Sequence, residues 1–314
     1  MPSCFSLMII GLTSQKRSCW PPSTTTAPGS GDTGHAVADG KDSAERQIPV
    51  RSGFLVRAVS ALVLIPVAVL VVYLGGWILA AFVTLAGAFI LHEWNSITLG
   101  QVDRSLFALE VVILVVTLLL VLYPLGSGIL PAVLIVGLGV VSTVVVAARR
   151  KHPPVWAVAG LCYALVPGVA FLWVRQQDEM GFALCLWTLA IVWATDIGAY
   201  AVGKTVGGPR LAPRLSPNKT WAGLVGGVVF AGIVSPALGV LLGLPYAWSP
   251  LAAVAGALAV WEQAGDLLES ALKRRFHVKD SGSLIPGHGG IMDRVDGFVF
   301  VMPVVAAGVY LFGA

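Results

Sequence analysis

From residue 54 onward, apolar runs of roughly membrane-spanning length alternate with short polar connections. A helix that crosses a bilayer needs about 20 apolar residues. The nine candidate runs lie at 54–74, 77–92, 106–123, 128–147, 155–174, 182–202, 222–244, 249–268 and 295–313. Because 57% of the residues are hydrophobic and only 11% are charged, a water-soluble fold could not cover the apolar side chains. The sequence therefore predicts an all-α integral membrane protein with about nine transmembrane helices.

The first 50 residues differ in composition from the rest of the chain. They are rich in Ser, Thr, Gly and Pro, as in PPSTTTAPGSGDTG at 21–34, and show no sustained periodicity. Such a segment cannot bury enough apolar surface to fold. We therefore expect a disordered cytoplasmic tail over 1–50 and a polytopic membrane domain over 51–314.

The basic residues indicate the orientation of the helices. Nineteen of the 20 Lys and Arg residues lie in the tail up to Arg57 or in the connections 93–105, 148–154, 203–221 and 269–294. These segments all fall on one side if the chain crosses the membrane nine times. Since Lys and Arg gather on the cytoplasmic side, the N-terminus is predicted inside and the C-terminus outside the cytoplasm.

A phosphate-loop motif occurs in an unsuitable context. GAYAVGKT at 198–205 fits the pattern G-x-x-x-x-G-K-[ST]. A working phosphate loop connects a buried strand to the N-terminus of a helix, whereas this match continues a predicted transmembrane helix, ALCLWTLAIVWATDI at 183–197. We therefore do not interpret it as a nucleotide-binding loop. Asp196, just before it, remains notable, because a carboxylate in an apolar span usually faces a polar cavity or a partner.

Acidic and basic residues concentrate in the second half of the chain. In the first half of the membrane region, Glu93 and Glu110 are the main ionisable residues, and both are interpreted as structural. In WEQAGDLLESALKRR at 261–275, the spacing of Glu262, Asp266 and Glu269 places these acids on one helix face. Carboxylates that face one another repel unless a cation lies among them, and oxygen ligands suit Mg²⁺, Mn²⁺ or Ca²⁺.

A glycine-rich connection follows this acidic helix. KDSGSLIPGHGGIMDRVD at 279–296 contains glycines and a proline that prevent a regular helix and let the backbone approach a ligand. Asp293 and Asp296 then open the last helix. Acids beside such a loop, with Lys and Arg close by, are typical of a site for metal-bound phosphates.

The stretch SALKRRFHVKDSGSLIPGHGGIMDRVD at 270–296 closely resembles the signature of the phosphatidate cytidylyltransferase (CDP-diacylglycerol synthase) family. That pattern runs S-x-apolar-K-R, four residues, K-D-x-small, two residues, apolar-P-x-H-G-G-apolar-x-D-R-apolar-D, and every fixed position is met. DIGAYAVGK at 196–204 and SPNKTWAG at 216–223 are similar to two further family segments, although Ala222 stands where Glu is common. The resemblance covers about 54–314, with the site within about 196–296.

The resemblance implies the reaction CTP + phosphatidate → CDP-diacylglycerol + diphosphate, with Mg²⁺ required. It also implies a multi-pass protein of the cell (inner) membrane whose site faces the cytoplasm. No nucleic acid is implied as a partner, and a homodimer is compatible with the resemblance. Acyl-chain preference and the presence of a second metal ion stay open.

The candidate site residues fall into three groups. The leading metal ligands are Asp266 and Asp293, with Glu269, Asp296 and Asp196 as supports. The candidate catalytic, phosphate-binding residues are Lys219, Lys273, Arg274, Lys279, His288 and Arg294. Candidates for nucleotide binding are Ser216, Lys219 and Asp196. The sequence does not divide the basic residues between CTP and the lipid phosphate.

Two alternatives come from other classes of protein. A secondary transporter also has many helices and intramembrane acids, but it places them near the bilayer midplane between internal repeats, and no clear repeat occurs here. Another CTP-using lipid enzyme, such as a polyprenol kinase or an archaeal lipid cytidylyltransferase, would share the architecture.

Overall fold

The computed structural model describes residues 65–124, 130–177, 180–282 and 289–312, and of 130–132 the backbone alone. The predicted tail over 1–50 lies outside these residues. So do the first part of the first predicted helix, at 54–64, and His288.

Within the described residues the chain forms nine helices, which lie at the nine predicted apolar runs. They are α1 (Ile65–Leu74), α2 (Gly76–Leu99), α3 (Arg104–Leu122), α4 (Leu130–Arg149), α5 (Pro154–Arg175), α6 (Gly181–Thr205), α7 (Trp221–Leu241), α8 (Trp248–Arg275) and α9 (Met292–Phe312). Seven of them are long and apolar enough to cross a membrane, and the two shorter apolar helices are α1 and Val133–Arg149 of α4. The predicted all-α membrane fold is confirmed.

Large apolar side chains cover the outside of the helix bundle as well as its core. Leu138 is 67% exposed, Leu241 80% and Tyr310 75%. Leu79, Leu172 and other fully buried side chains form one main core. Water would disfavour such an exterior, whereas lipid would not. The helices and this exterior together indicate a multi-pass membrane protein.

Polar groups at helix ends stabilise the turns between spans. At the end of α1, the Arg175 guanidinium donates from Nε to the Val72 carbonyl (2.7 Å) and from a terminal nitrogen to the Tyr73 carbonyl (3.0 Å). These carbonyls have no partner within the helix, so a cation is favourable there. Arg175 is the one basic residue that the orientation argument placed outside the cytoplasm, and the structure gives it this local role.

Asp103 caps the N-terminus of α3. Its carboxylate accepts hydrogen bonds from the backbone N–H groups of Ser105 (2.9 Å) and Leu106 (3.0 Å). The Leu106 hydrogen bond above all, with help from Ser105 and the charge of Arg150, holds the pKa of Asp103 below its usual value. Asp is a preferred residue at this position because its side chain satisfies the free N–H groups of the first turn.

Small residues let α6 and α7 pack with their backbones close together. A Cβ on Gly198 of α6 would lie 2.7 Å from the Gly226 carbonyl oxygen of α7, and one on Gly223 would lie 2.9 Å from the Ala199 carbonyl oxygen. This is the small-residue packing found between membrane helices. The GAYAVGKT segment lies inside α6, so its first glycine serves helix packing and the segment is not a phosphate loop.

A short hairpin connects α6 and α7. Strands β1 (Arg210–Ala212) and β2 (Ser216–Thr220) pair antiparallel, with Arg210 opposite Thr220 and a bulge before Ala212. Thr220 then caps α7, because its hydroxyl accepts a hydrogen bond from Gly223 N–H (3.1 Å). The sequence did not predict this hairpin, which carries Ser216 and Lys219 to the site.

Two helices continue about two turns past their predicted ends. The runs ended at residues 92 and 268, but α2 continues to Leu99 and α8 to Arg275. The charged residues that ended the apolar runs remain helical because they find partners inside the protein, as described below. For α8, this confirms that the acids of WEQAGDLLESALKRR lie on one continuous helix.

Candidate active site

The predicted polar residues gather at one end of the bundle. The C-terminal parts of α2, α6 and α8, the N-termini of α7 and α9, and the β1–β2 hairpin meet there. Interactions between residues far apart in sequence tie these elements together, from Lys219 to Asp266 and from Lys273 to Asp293. An ionic site at one end of the bundle differs from the midplane arrangement expected of a secondary transporter.

Lys219 and Asp266 form the first ion pair of the site. Lys219 leaves the hairpin strand β2, and its Nζ lies 2.5 Å from Asp266 Oδ2 on α8. The two side chains are 22% and 12% exposed. The pair is therefore largely shielded from water, and each charge depends on the other for its compensation.

Lys273 forms the centre of a second cluster. Its Nζ donates to Glu269 Oε1 (2.9 Å), one turn earlier on α8, and to Asp293 Oδ1 (2.6 Å) on α9. The Glu269 side chain is fully buried, and its other oxygen accepts a hydrogen bond from the Tyr163 hydroxyl of α5 (2.9 Å). This cluster fixes the start of α9 against α8 and α5.

Asp293 is held on both carboxylate oxygens. While Oδ1 faces Lys273, Oδ2 accepts hydrogen bonds from Ser281 N–H (2.9 Å) and Gly290 N–H (3.1 Å). The bond to Gly290 ties Asp293 to the backbone just before α9 begins. Asp293 is thus oriented by the glycine-rich connection and by Lys273 together.

A small basic cavity adjoins this cluster. It has a volume of ≈ 140 Å³ and is lined by Leu215, Ser216, Ser270, Lys273, Arg274, Lys279 and Asp280. Arg274 Nε donates to the Leu215 carbonyl (3.4 Å), which links α8 to the hairpin. Three cations around a cavity of this size form an environment for anions such as phosphate groups.

The carboxylates form a larger acidic group beside the ion pairs. Asp196 interacts electrostatically with Asp266, Lys219 and Arg294, and Asp296 interacts with Asp266 and Glu269. Oxygen donors of this kind suit Mg²⁺. Within the described residues, however, no three His, Cys, Asp or Glu side chains are arranged to hold a metal ion. The carboxylate oxygens are suitable ligands for Mg²⁺. Lys219 and Lys273, however, already pair with oxygens of Asp266, Glu269 and Asp293.

Glu262 lies beneath this group and is fully buried. In the described structure, neither of its carboxylate oxygens has a hydrogen-bond partner. It packs against Gly297 of α9, where a Cβ would lie 2.6 Å from Glu262 Cγ. A buried carboxyl group without a hydrogen bond is costly, so this position is unfavourable for the stability of the fold.

Most of the predicted site residues within the described part of the chain meet at this end. Lys219 and Asp266 form one cluster, Lys273, Glu269 and Asp293 form another, and Ser216, Arg274 and Lys279 line the cavity. Asp196 and Asp296 interact with these clusters electrostatically, and Arg294 interacts with Asp196. His288 lies outside the described residues.

Two residues that contact the site, Glu93 and Tyr163, were not predicted from the sequence. Glu93, interpreted there only as structural, contacts the glycine-rich connection directly and is buried at 4% exposure. Its one sequence signal was an acid near the end of an apolar span, which by itself indicates a functional position. Tyr163 gave no such signal, because one aromatic residue in an apolar helix is ordinary.

Comparison with known proteins assigns the family. The model of the cytidylyltransferase family matches residues 55–312. The chain belongs to the cytidylyltransferase family.

One curated relative resembles the chain along most of its length, and another along about half of it. The chain is 35% identical to the phosphatidate cytidylyltransferase of Brucella suis biovar 1 (strain 1330) over 263 residues, which cover 84% of this chain and 94% of that protein. It is 43% identical to the phosphatidate cytidylyltransferase of Bacillus subtilis (strain 168) over 144 residues, which cover 46% and 52%. The resemblance inferred from the signature is thereby confirmed.

Proposed function

We propose that this cytidylyltransferase transfers the cytidylyl group of CTP to phosphatidate, giving CDP-diacylglycerol and diphosphate. A phosphate oxygen of phosphatidate attacks the α-phosphorus of CTP and forms a new P–O bond. The bond from the α-phosphorus to the oxygen that bridges it to the β-phosphorus breaks, and diphosphate leaves with the electron pair. Family membership and the names of the curated relatives support this reaction over lipid kinases or a transporter.

The observation that carries the proposal is the position of Lys273. Its ammonium group lies between the carboxylates of Glu269 and Asp293 and also lines the cavity that Arg274 and Lys279 share. A phosphate in that cavity would meet cations on one side and an acidic site on the other. Phosphoryl and nucleotidyl transfer need little more than alignment of the reactants and stabilisation of their charge.

Three further cationic side chains have defined parts in this scheme. Arg274 and Lys279 bind phosphate oxygens at the cavity wall, with the Ser216 hydroxyl as a further donor. Lys219 holds Asp266 in place and neutralises charge beside it. Because the pairs are shielded from water, these interactions are stronger than those of surface ion pairs.

We further propose that Mg²⁺ binds at the acidic side, with Asp266 and Asp293 as its main ligands. Asp196, Glu269 and Asp296 are the supporting carboxylates. When bound, the ion would neutralise phosphate oxygens of the nucleotide. Lys219 and Lys273, which hold the two main ligands, keep these carboxylates compensated and oriented.

We also propose the membrane, the substrates and the orientation with which the enzyme works. The chain lies in the lipid bilayer of the cell (inner) membrane, with CTP and phosphatidate as substrates and no nucleic acid. The site-bearing end carries most of the basic connections, so the positive-inside rule supports its location in the cytoplasm. A homodimer is a further expectation, which cross-linking in intact membranes would test.

The experiment offers several lipid acceptors to the purified protein with CTP labelled at its α-phosphate and, in a parallel reaction, with CTP labelled at its γ-phosphate. We expect label to enter CDP-diacylglycerol with phosphatidate and to enter no product with a polyprenol. Lys273→Met should abolish this incorporation, while Glu110→Gln, in a helix that carries none of the proposed site residues, should retain it. Incorporation into an archaeal-type lipid alone, or transfer of a γ-phosphate to a polyprenol, would disprove the proposal.

A further inference from the structure

We infer that Glu93 is a positioning residue for Asp293, acting through Ser281 and the first turn of α9. This inference rests on the proposed function, because its consequence is a catalytic one. Glu93 belongs to α2, in the half of the chain with few charges, yet its carboxylate contacts the connection that orders the site.

Three hydrogen bonds join Glu93 to residues almost 200 positions further along the chain. Its Oε1 accepts from the backbone N–H of Ile291 (2.9 Å). Its Oε2 accepts from the backbone N–H of Met292 (2.9 Å) and from the hydroxyl of Ser281 (2.9 Å). A carboxylate can accept all three, whereas a side-chain amide has only one acceptor oxygen.

The backbone donors belong to the start of α9. The first N–H groups of a helix have no partner inside it, and negative charge near them is favourable. Glu93 therefore caps α9 from another helix, while Asp293 accepts the N–H of Gly290, one residue before Ile291. Together the two acids satisfy three consecutive N–H groups, at 290, 291 and 292.

Ser281 connects the two carboxylates. Its hydroxyl donates to Glu93 Oε2, and its own backbone N–H donates to Asp293 Oδ2 (2.9 Å). Any shift of Ser281 caused by Glu93 is thus transmitted to Asp293, whose other oxygen faces Lys273. Among the described residues, Glu93 hydrogen-bonds to neither a predicted phosphate binder nor a proposed metal ligand, so its effect is one of position.

Two glycines leave room for this arrangement. A Cβ on Gly282 would lie 2.8 Å from Glu93 Oε1, and one on Gly290 would lie 2.5 Å from Glu93 Oε2. Side chains at either place would push the carboxylate away from α9. The glycines of the connection therefore fit the space around Glu93.

The test compares Glu93→Gln with Glu110→Gln. Glu110 is a matched control, because it is fully buried in the neighbouring helix α3 and receives its hydrogen bond from Asn95 (2.7 Å). We expect Glu93→Gln to speed amide hydrogen exchange at 291 and 292 by tenfold or more, on the order of the loss of one hydrogen bond to a charged group. Glu110→Gln should leave exchange there unchanged.

The catalytic effect should resemble that of other residues that orient a ligand. We expect kcat to fall about 10- to 100-fold in Glu93→Gln, with a smaller change in KM for CTP. Glu93→Asp, which keeps the charge, should restore part of the rate. A double-mutant cycle with Asp293→Asn should be non-additive, because Asp293→Asn has less to remove once Glu93 is changed.

Three results would overturn the positioning role. The first is normal amide exchange at 291 and 292 in Glu93→Gln. The second is a loss of rate in Glu93→Gln that is no larger than in Glu110→Gln at the same decrease in melting temperature. The third is additive effects in the double-mutant cycle. An inactive wild-type protein would instead refute the proposed function, and the exchange measurement would still decide whether Glu93 orders the start of α9.

Discussion

Replacing Gly290 by Ala should disable the site by crowding a few atoms. The new Cβ would lie 2.5 Å from Glu93 Oε2, and closer still to the Ser281 hydroxyl oxygen. Real Cβ atoms essentially never come within 3.0 Å of a heavy atom of a residue that is not adjacent in the chain. Glu93 or Ser281 must therefore move and strain their mutual hydrogen bond and those to the α9 start. Hydrogen bonds to charged groups contribute about 1.5–3 kcal/mol each, so we expect a loss of roughly 3 kcal/mol.

If that loss falls on the transition state, it lowers kcat about 10²-fold. The assay is the initial rate of CDP-diacylglycerol formation by purified protein at saturating CTP and phosphatidate, together with thermal unfolding in the same detergent. Since Gly290 does not have a positive φ, the expected loss comes from crowding and not from backbone strain.

Gly308→Ala is the matched control. It makes the same change within α9, the helix that Gly290 precedes, at a position where a Cβ would meet nothing within 4 Å. It should retain full activity and should not lower the melting temperature, because Ala favours a helix over Gly by about 0.8–1 kcal/mol. Equal rates for Gly290→Ala and Gly308→Ala would refute the reasoning about the space around Glu93.

Three further predictions address the acidic site, a helix cap and the orientation. Asp266→Asn should lower kcat on the order of 10²-fold and raise the Mg²⁺ concentration needed for activity, whereas Glu110→Gln should have a much smaller effect. The measurement is the rate as a function of Mg²⁺ concentration. A large effect of Glu110→Gln with a small effect of Asp266→Asn would contradict the assignment. Asp103→Ala should lose about 1 kcal/mol of stability and Asp103→Asn much less. Because the pKa of Asp103 is lowered in the folded protein, its charge stabilises the fold fully above the unfolded pKa of about 3.9. This stabilisation is lost as the pH falls through the folded pKa. Unfolding curves of the wild type and of Asp103→Asn at several pH values would measure this loss. A reporter fused after Ala314 should behave as extracytoplasmic and one inserted at 149–152 as cytoplasmic, and the same compartment for both would mean that the number of spans is wrong by one.

The sequence by itself determined the helices and the family. A transmembrane helix satisfies all its backbone hydrogen bonds within one segment, so an apolar run such as 155–174 predicts α5 (Pro154–Arg175) almost to the residue. The signature at 270–296 likewise identified the family, because its fixed positions lie close together in the chain. Both signals are local and can be read without knowing which helices touch.

Only the tertiary structure decided how the site is held together. From the sequence, Glu93 is only a structural acid at the end of the second span. Its contacts with the site could not be predicted, because its three partners lie almost 200 residues away. The contact of Tyr163 with Glu269, the placement of Lys219 by the hairpin and the continuation of α8 to Arg275 depend in the same way on neighbouring elements. Hydrogen bonds between helices are fixed by how the helices pack, and neither hydropathy nor residue spacing records that packing.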